Sequence, residues 1–279
     1  MRNEKKKRKL LNIITPIAAI SIGLIIVFPL LYGVFGAFKT PAEFSQYPPT
    51  VFPESFLNFA NFERALSLMP FWRYMLNSLI IASMSSTVRI TFAVLAAYSF
   101  TFYEFRGKNF LFFLLLATMM FPGDTLLVTN YLTVTKLGLL DTYLAVCITS
   151  FVGASQMFML RQNFRTIPKD LRAAAELDGC GDFKFMTSVL LPIAKPVVIT
   201  LLVQSFITSW NSYLWPLLVT NSANMRTVQV GVSMLTSTED VNYYLVLAGV
   251  TLTLLPSLVL FAILRRNINK GMTAGALVG

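Results

Sequence analysis

Residues 161–185 read RQNFRTIPKDLRAAAELDGCGDFKF, a charged stretch set between two apolar runs, residues 143–160 and 186–218. Pro168 stands where a helix would start and Gly179 where one would stop. Between them Leu171, Ala174, Ala175 and Asp178 recur at helical spacing on one face. The segment is expected to form a short helix with a small, nearly flat apolar side. So small a face buries too little to fold alone and calls for a groove in another body. An amphipathic connector lying on a membrane surface has the same pattern, and the residues by themselves leave both readings open.

Working outward, the flanking runs belong to a set of six, at residues 10–38, 72–102, 110–129, 143–160, 186–218 and 243–264. Crossing a bilayer takes about 20 apolar residues per helix. The first run follows Lys5-Lys6-Lys7-Arg8-Lys9. It far exceeds the roughly 7–15 apolar residues of a cleavable leader and is read as a retained helix. The whole chain is 55% hydrophobic and 13% charged, where a soluble domain carries roughly a quarter charged residues. A single membrane domain over residues 1–279 is expected.

The formal net charge of +10 is a topology signal. Lys and Arg gather in the N-terminal tail, at Arg106 and Lys108, through 161–195, and at Arg265, Arg266 and Lys270. The opposite face holds only Lys39, Arg64, Arg73, Lys136 and Arg226. Basic loops stay on the cytoplasmic side, so both termini, the 161–185 loop and the tail at 265–279 are placed there. The distribution argues against nucleic acid. The Pro-rich segment 39–70 is expected outside, extended and then helical from near Asn61 as N-cap. Ser83, Ser85, Ser86, Ala93, Ala97 and Ser99 line the second run and mark it for close helix packing.

Several activities lack their residues. With no His, the commonest catalytic base and metal ligand are missing. Cys147 falls in an apolar run and Cys180 in the charged loop, which argues against a disulfide or a metal site. No G-x-x-x-x-G-K-[ST] loop is present; Gly107-Lys108 lacks the upstream glycine and the downstream hydroxyl. These residues argue against an enzyme, and an ATP-driven role would require partner subunits to supply the energy.

Taken together, Ala173-Ala174-Ala175-x-x-Asp178-Gly179, followed by Leu191-Pro192 and Pro196, resembles the "EAA" loop of ABC importer permeases. Asn77-Ser78, the stretch Leu137-Gly138-Leu139-Leu140-Asp141, Trp210-Asn211-x-Tyr213-Leu214-Trp215-Pro216, and Gly271-x-Thr273-Ala274-Gly275 agree with it in order. The set resembles the second permease of the maltose-type carbohydrate-uptake family along essentially the whole chain. The resemblance implies an all-α integral membrane protein of six transmembrane helices with the type I ABC importer permease fold, in the inner membrane of a prokaryote. It implies a second permease, two ATPase subunits holding ATP and magnesium, and an external solute-binding protein as partners, with no cofactor on this chain. It also implies that Pro168, Leu171, Ala173, Ala174, Ala175, Glu176, Asp178 and Gly179 form the ATPase-coupling loop. Where the family has its first Glu this chain has Ala173, and Glu176, one turn on, is a possible replacement.

Solute-path residues are sought among Arg89, Asp124, Trp210, Asn211, Tyr213 and Trp215. A charge inside the membrane usually faces a cavity or a partner. Arg89 therefore either attracts an anionic solute, as its resemblance to glycerol-phosphate permeases suggests, or pairs with Asp124 or helix-end carbonyls, or snorkels. Pro122-Gly123 before Asp124 predicts a kink that serves gating or marks an interface. The aromatics suit sugar stacking or an interfacial belt. A sugar or oligosaccharide is the expected cargo, with glycerol-3-phosphate or another anionic sugar derivative as the alternative. A self-contained secondary transporter would need intramembrane acids, of which Asp124 is the one within the runs, or an internal repeat.

Overall fold

The computed structural model describes the backbone of residues 2–168, 170–236 and 242–274, and side chains of 14–123, 125–168, 170–236 and 242–263. Every regular element among the described residues is helical. In chain order these are α1 (Arg2–Ala37), α2 (Pro41–Phe44), α3 (Ala60–Leu68), α4 (Phe71–Phe102), α5 (Lys108–Thr118), α6 (Leu127–Lys136) and α7 (Tyr143–Ile148). There follow α8 (Ala154–Arg165), α9 (Asp170–Leu177), α10 (Asp182–Phe185), α11 (Leu191–Trp210), α12 (Leu214–Val219), α13 (Val228–Ser233) and α14 (Tyr243–Ala274). Four described stretches are long and apolar enough to cross a membrane: Ile14–Ala37, Phe71–Phe102, Asp182–Trp210 and Tyr243–Ile263.

The other two runs are interrupted. Proline explains the first break: its ring clashes with the carbonyl four residues back, and α5 ends at Thr118, four residues before Pro122. A 3₁₀ turn at Gly123–Leu126 then leads into α6, so the kink expected at Pro122 is a full break. α11 and α12 are separated by residues 211–213, and Pro216 falls in the first turn of α12, where a missing N–H costs no helical bond. In the 143–160 run, residues 149–153 separate α7 from α8 without a proline. Ahead of α11, a π-turn at Met186–Leu190 bonds the Leu191 N–H to the Met186 carbonyl. The wider turn makes room for Pro192, which has no N–H of its own.

The chain divides into two compact units, residues 1–69 with 232–254, and residues 70–231 with 255–279. In the first, Phe38 packs its ring against Phe56, Phe59 and Phe62. Asn61 is buried and donates its side-chain amide to the carbonyls of Ala37 (2.9 Å) and Lys39 (2.7 Å). This corrects the expected N-cap role: the cap position is Phe59, two residues earlier, without a side-chain cap, and Asn61 instead satisfies carbonyls at and just past the end of α1. Glu43 and Thr40 form a capping box at α2, and Glu43 also accepts the Glu54 N–H at 2.6 Å. The amides of Glu54 and Thr40 hold the Glu43 carboxyl below its ordinary value.

The second unit is built on α4, which packs against α8 and α11. Four of the six small residues expected at a helix interface, Ser85, Ser86, Ala93 and Ala97, are buried. Ser83 is exposed and Ser99 half-buried. Ala93 and Ala97 join a core with Leu160, Phe164, Leu190 and Leu201.

Candidate functional site

The loop helix α9 is closed at its C-terminus by a complete Schellman motif. Gly179 adopts φ +70°, the Cys180 N–H donates to Ala175 O (2.8 Å), and the Gly179 N–H donates to Glu176 O (3.0 Å). A glycine at this left-handed position carries no Cβ penalty. Pro168 lies two residues before α9, and its carbonyl accepts the Leu171 N–H at 3.2 Å.

At about 100° per residue, Arg172 and Ala175 turn inward, and Ala175 packs on the core with Cys180. Ala173, Ala174 and Leu177 turn outward, and Leu177 is 89% exposed. The stripe expected from spacing therefore splits. Leu171, Ala174 and Asp178 are exposed while Ala175 belongs to the inner side. Leu177, the most prominent apolar group on the helix, was missed because it falls outside that stripe.

Arg172 anchors the helix to the end of α4. It donates to Glu176 (2.8 Å), Asp182 (3.0 Å) and the Phe102 carbonyl (3.0 Å), and lies over the Phe102 and Tyr103 rings. Asp182 also accepts from the Tyr98 (2.9 Å) and Tyr103 (2.5 Å) hydroxyls. The hydrogen bond to Asp182 raises the Tyr103 hydroxyl above its ordinary value, which keeps it a proton donor. Glu176 is thus engaged within its own helix. Composition gave no hint of Asp182, whose role rests on side chains from α4 and α9 meeting in space.

A cavity of about 430 Å³ opens where the three helix breaks meet, lined by Gly123, Asn130, Thr149, Ser212, Tyr213 and Trp215 among others. Breaks leave backbone groups unpaired, and such groups are tolerated at membrane depth only against protein or a watery cavity. Trp215 is fixed by its indole N–H on Ala145 O at 3.1 Å, and Tyr213 is 42% exposed. Trp210 departs from expectation: it is 2% exposed and stacked on Phe206 at 6.0 Å, so its face is spent inside the core. Asn211 is exposed, outside the lining residues, with its N–H on Ile207 O. The Asp124 side chain and Gly275 lie outside the described residues.

Arg89 reaches the break between α7 and α8, where its Nε donates to Ser150 O at 2.5 Å. Gly153 lets it pass: a Cβ there would sit 3.0 Å from Arg89 Cδ and 2.2 Å from Gln156 Oε1. Of the readings open for Arg89, this is pairing with a helix-end carbonyl, where a cation also meets the negative end of the helix dipole.

Two of the family cues brace residues 219–228. Asn77, fully buried, donates to Asn224 O (2.8 Å) and Arg226 O (2.9 Å) and accepts from Tyr143 Oη (2.7 Å). Ser78 Oγ accepts the Val228 N–H at 2.8 Å. Asp141, at φ +62°, accepts the Asn221 (2.9 Å) and Ser222 (3.0 Å) N–H groups. Asn77→Ala removes three hydrogen bonds, although the Asn224 carbonyl keeps its bond from Arg73 Nε at 3.1 Å. At a net worth of about 0.5–1.5 kcal/mol per bond, we expect a loss of about 1–3 kcal/mol, read as a lower melting temperature of the purified protein.

Comparison with known proteins agrees with this architecture. Residues 89–273 match the family described as the binding-protein-dependent transport system inner membrane component. The chain is 30% identical over 282 residues to the arabinooligosaccharides transport system permease protein AraQ of Halalkalibacterium halodurans, covering 99% of this chain and 100% of that one. It is 31% identical over 274 residues to the sn-glycerol-3-phosphate transport system permease protein UgpE of Yersinia pestis bv. Antiqua, covering 96% and 98%. A chain of a bacterial ABC transporter that imports the acidic polysaccharide alginate has the same fold, with a TM-score of 0.79 and 20% identity over 94% of this chain and 98% of that one. A second alginate transporter structure, in complex with its pentasaccharide-bound periplasmic protein, matches at 0.67 and 16% identity, covering 93% and 94%. The match over residues 89–273 and the near-complete alignments show that the chain belongs to the family of binding-protein-dependent transport system inner membrane components.

Proposed function

We propose that this chain is one of two permease subunits of an ATP-driven importer that passes a sugar or oligosaccharide into the cytoplasm. The observation that carries this is α9, a capped helix tied to α4 through Arg172 and Asp182 while Ala173, Ala174 and Leu177 face outward. That is the form of a plug for a socket in another body. Two ATPase subunits would provide the socket and hold ATP and magnesium, and an external binding protein would deliver the solute. The six runs would then be six passes, the third, fourth and fifth of them broken, with both termini and α9 cytoplasmic. The whole of residues 1–279 forms the permease domain in this reading, with 39–70 external and 265–279 a cytoplasmic tail. Closure of the ATPases would move α9, and α4 would carry the movement to the cavity at the breaks. In that cavity Tyr213 and Trp215 offer ring faces to the solute, with Asn130 and Ser212 as polar partners. Affinity purification of the tagged chain should recover an ATPase and a second permease; recovery of the chain alone from intact membranes would refute the reading.

Similarity to the glycerol-3-phosphate permease supports a second reading, in which the solute is glycerol-3-phosphate or another anionic sugar derivative. Arg89 decides between them. Its bond to Ser150 O favours a role in holding the break, and Arg89→Gln is then expected to lower the amount of folded protein for any solute. If Arg89→Gln leaves the amount unchanged but abolishes uptake of an anionic solute that the binding protein still holds, the anionic reading is correct.

A further inference from the structure

A second cavity, about 800 Å³, lies where the end of α4, the start of α5, the end of α8 and α9 come together. Lys108, Arg161, Arg165 and Arg172 line it against two acids, Glu104 and Glu176. Both acids are taken: Glu104 pairs with Lys108 at 3.0 Å and Glu176 with Arg172 at 2.8 Å. Arg161 and Arg165 form no ion pair among the described residues. They stand one helical turn apart, where like charges repel. Arg161 is held in place, with Nε on Phe100 O (3.3 Å) and its guanidinium 3.9 Å from the Phe112 ring centre. Burial first, and the charge of Arg165 second, push the Arg161 guanidinium below its ordinary value. An anion between the two arginines would relieve both strains.

The rim indicates which anion. Helix α5 starts at Lys108 on the cavity wall and buries none of its residues. Phe110, Phe113 and Leu114 are 68%, 71% and 52% exposed along it. A fixed positive pocket continuous with an apolar helix surface matches a phosphate head group joined to acyl chains. We propose that this cavity binds the head-group phosphate of an anionic phospholipid, with Arg161 and Arg165 as its ligands and the acyl chains against α5. The proposal rests on the reading above that the runs containing α4 and α5 cross the membrane. Because Arg172 and Glu176 share the cavity wall, a bound lipid touches the anchor of α9 and biases its movement.

The test uses the full chain, purified with whatever subunits accompany it, in phosphatidylcholine nanodiscs containing a minor fraction of phosphatidylglycerol. Lipid retained by the protein is measured by native mass spectrometry. Phosphatidylglycerol should be enriched on the unmodified protein and fall about fivefold for Arg165→Gln, the approximate worth of one cation near an anionic lipid surface. Arg165→Lys should restore retention, and Arg161→Gln should repeat the loss if it folds. Equal retention by Arg165→Gln and the unmodified chain would overturn the proposal. So would displacement of the lipid by inorganic phosphate alone, which would make the site one for a soluble anion. Loss of accompanying subunits from Arg165→Gln with lipid retention unchanged would also overturn it, by assigning the arginines to a protein contact. An unmodified chain that cannot be placed in the disc at all refutes the membrane reading instead.

Discussion

Ala174→Trp should abolish solute uptake while leaving the chain folded in the membrane. Ala174 is on the outward face of α9, so an indole there meets no core. It instead occupies the space a docking partner needs. Gly179→Val should have the same effect by a different route. Its φ of +70° costs a residue with a Cβ about 1–2 kcal/mol, and the two bonds that close the helix loosen with it. The measurement is ATPase recovered with the tagged permease, alongside uptake in whole cells. Both variants should lose the ATPase. Retention of ATPase and uptake by both would remove α9 from the energy path.

Asp182→Ala should separate hydrolysis from transport. Asp182 collects Tyr98, Tyr103 and Arg172 at 2.5–3.0 Å, and its removal loosens α9 on α4, leaving the Arg172 bond to the Phe102 carbonyl, without altering the outward face. Charge-assisted hydrogen bonds are worth about 1.5–3 kcal/mol each. Asp182 has a side chain 45% exposed, so the lower end applies. The ATPase should still bind and turn over, while solute moved per ATP falls about tenfold, within the usual range of coupling between sites. Asp182→Asn, which can still accept hydrogen bonds, should lie between. A transport ratio equal to that of the unmodified protein would place the mechanical link elsewhere.

The legible parts of the fold were those written in local chemistry. Gly179 as the stop of α9 needs only its own backbone and the two carbonyls behind it, and the apolar runs need only length. Pro122 announced its break for the same reason. What spacing alone cannot show is which side of an amphipathic helix faces home. Ala175 and Ala174 are neighbours of one type, yet one packs on the core and the other is exposed. Arg172 lies on the same inner side as Ala175, and its guanidinium finds Phe102, seventy residues back, as well as Asp182 ten residues on. Asn61 misled in a related way. An Asn at a helix start resembles a cap, but its amide was recruited by the carbonyls of another helix, some twenty residues back. Trp210 carried the composition of a sugar platform and is instead core. The interruption at residues 149–153 has no proline to announce it, and its partner Arg89 is sixty residues away.

The central claim is that work done by a nucleotide-hydrolysing partner reaches the membrane helices through α9. It is tested most directly in sealed proteoliposomes holding the two permeases and loaded binding protein, with and without the ATPase and with ATP on the cytoplasmic face. Accumulation of solute against its gradient only when ATPase and ATP are both present, and its loss with Ala174→Trp, is the expected result. Uphill accumulation by the permeases with no ATPase present would contradict the account.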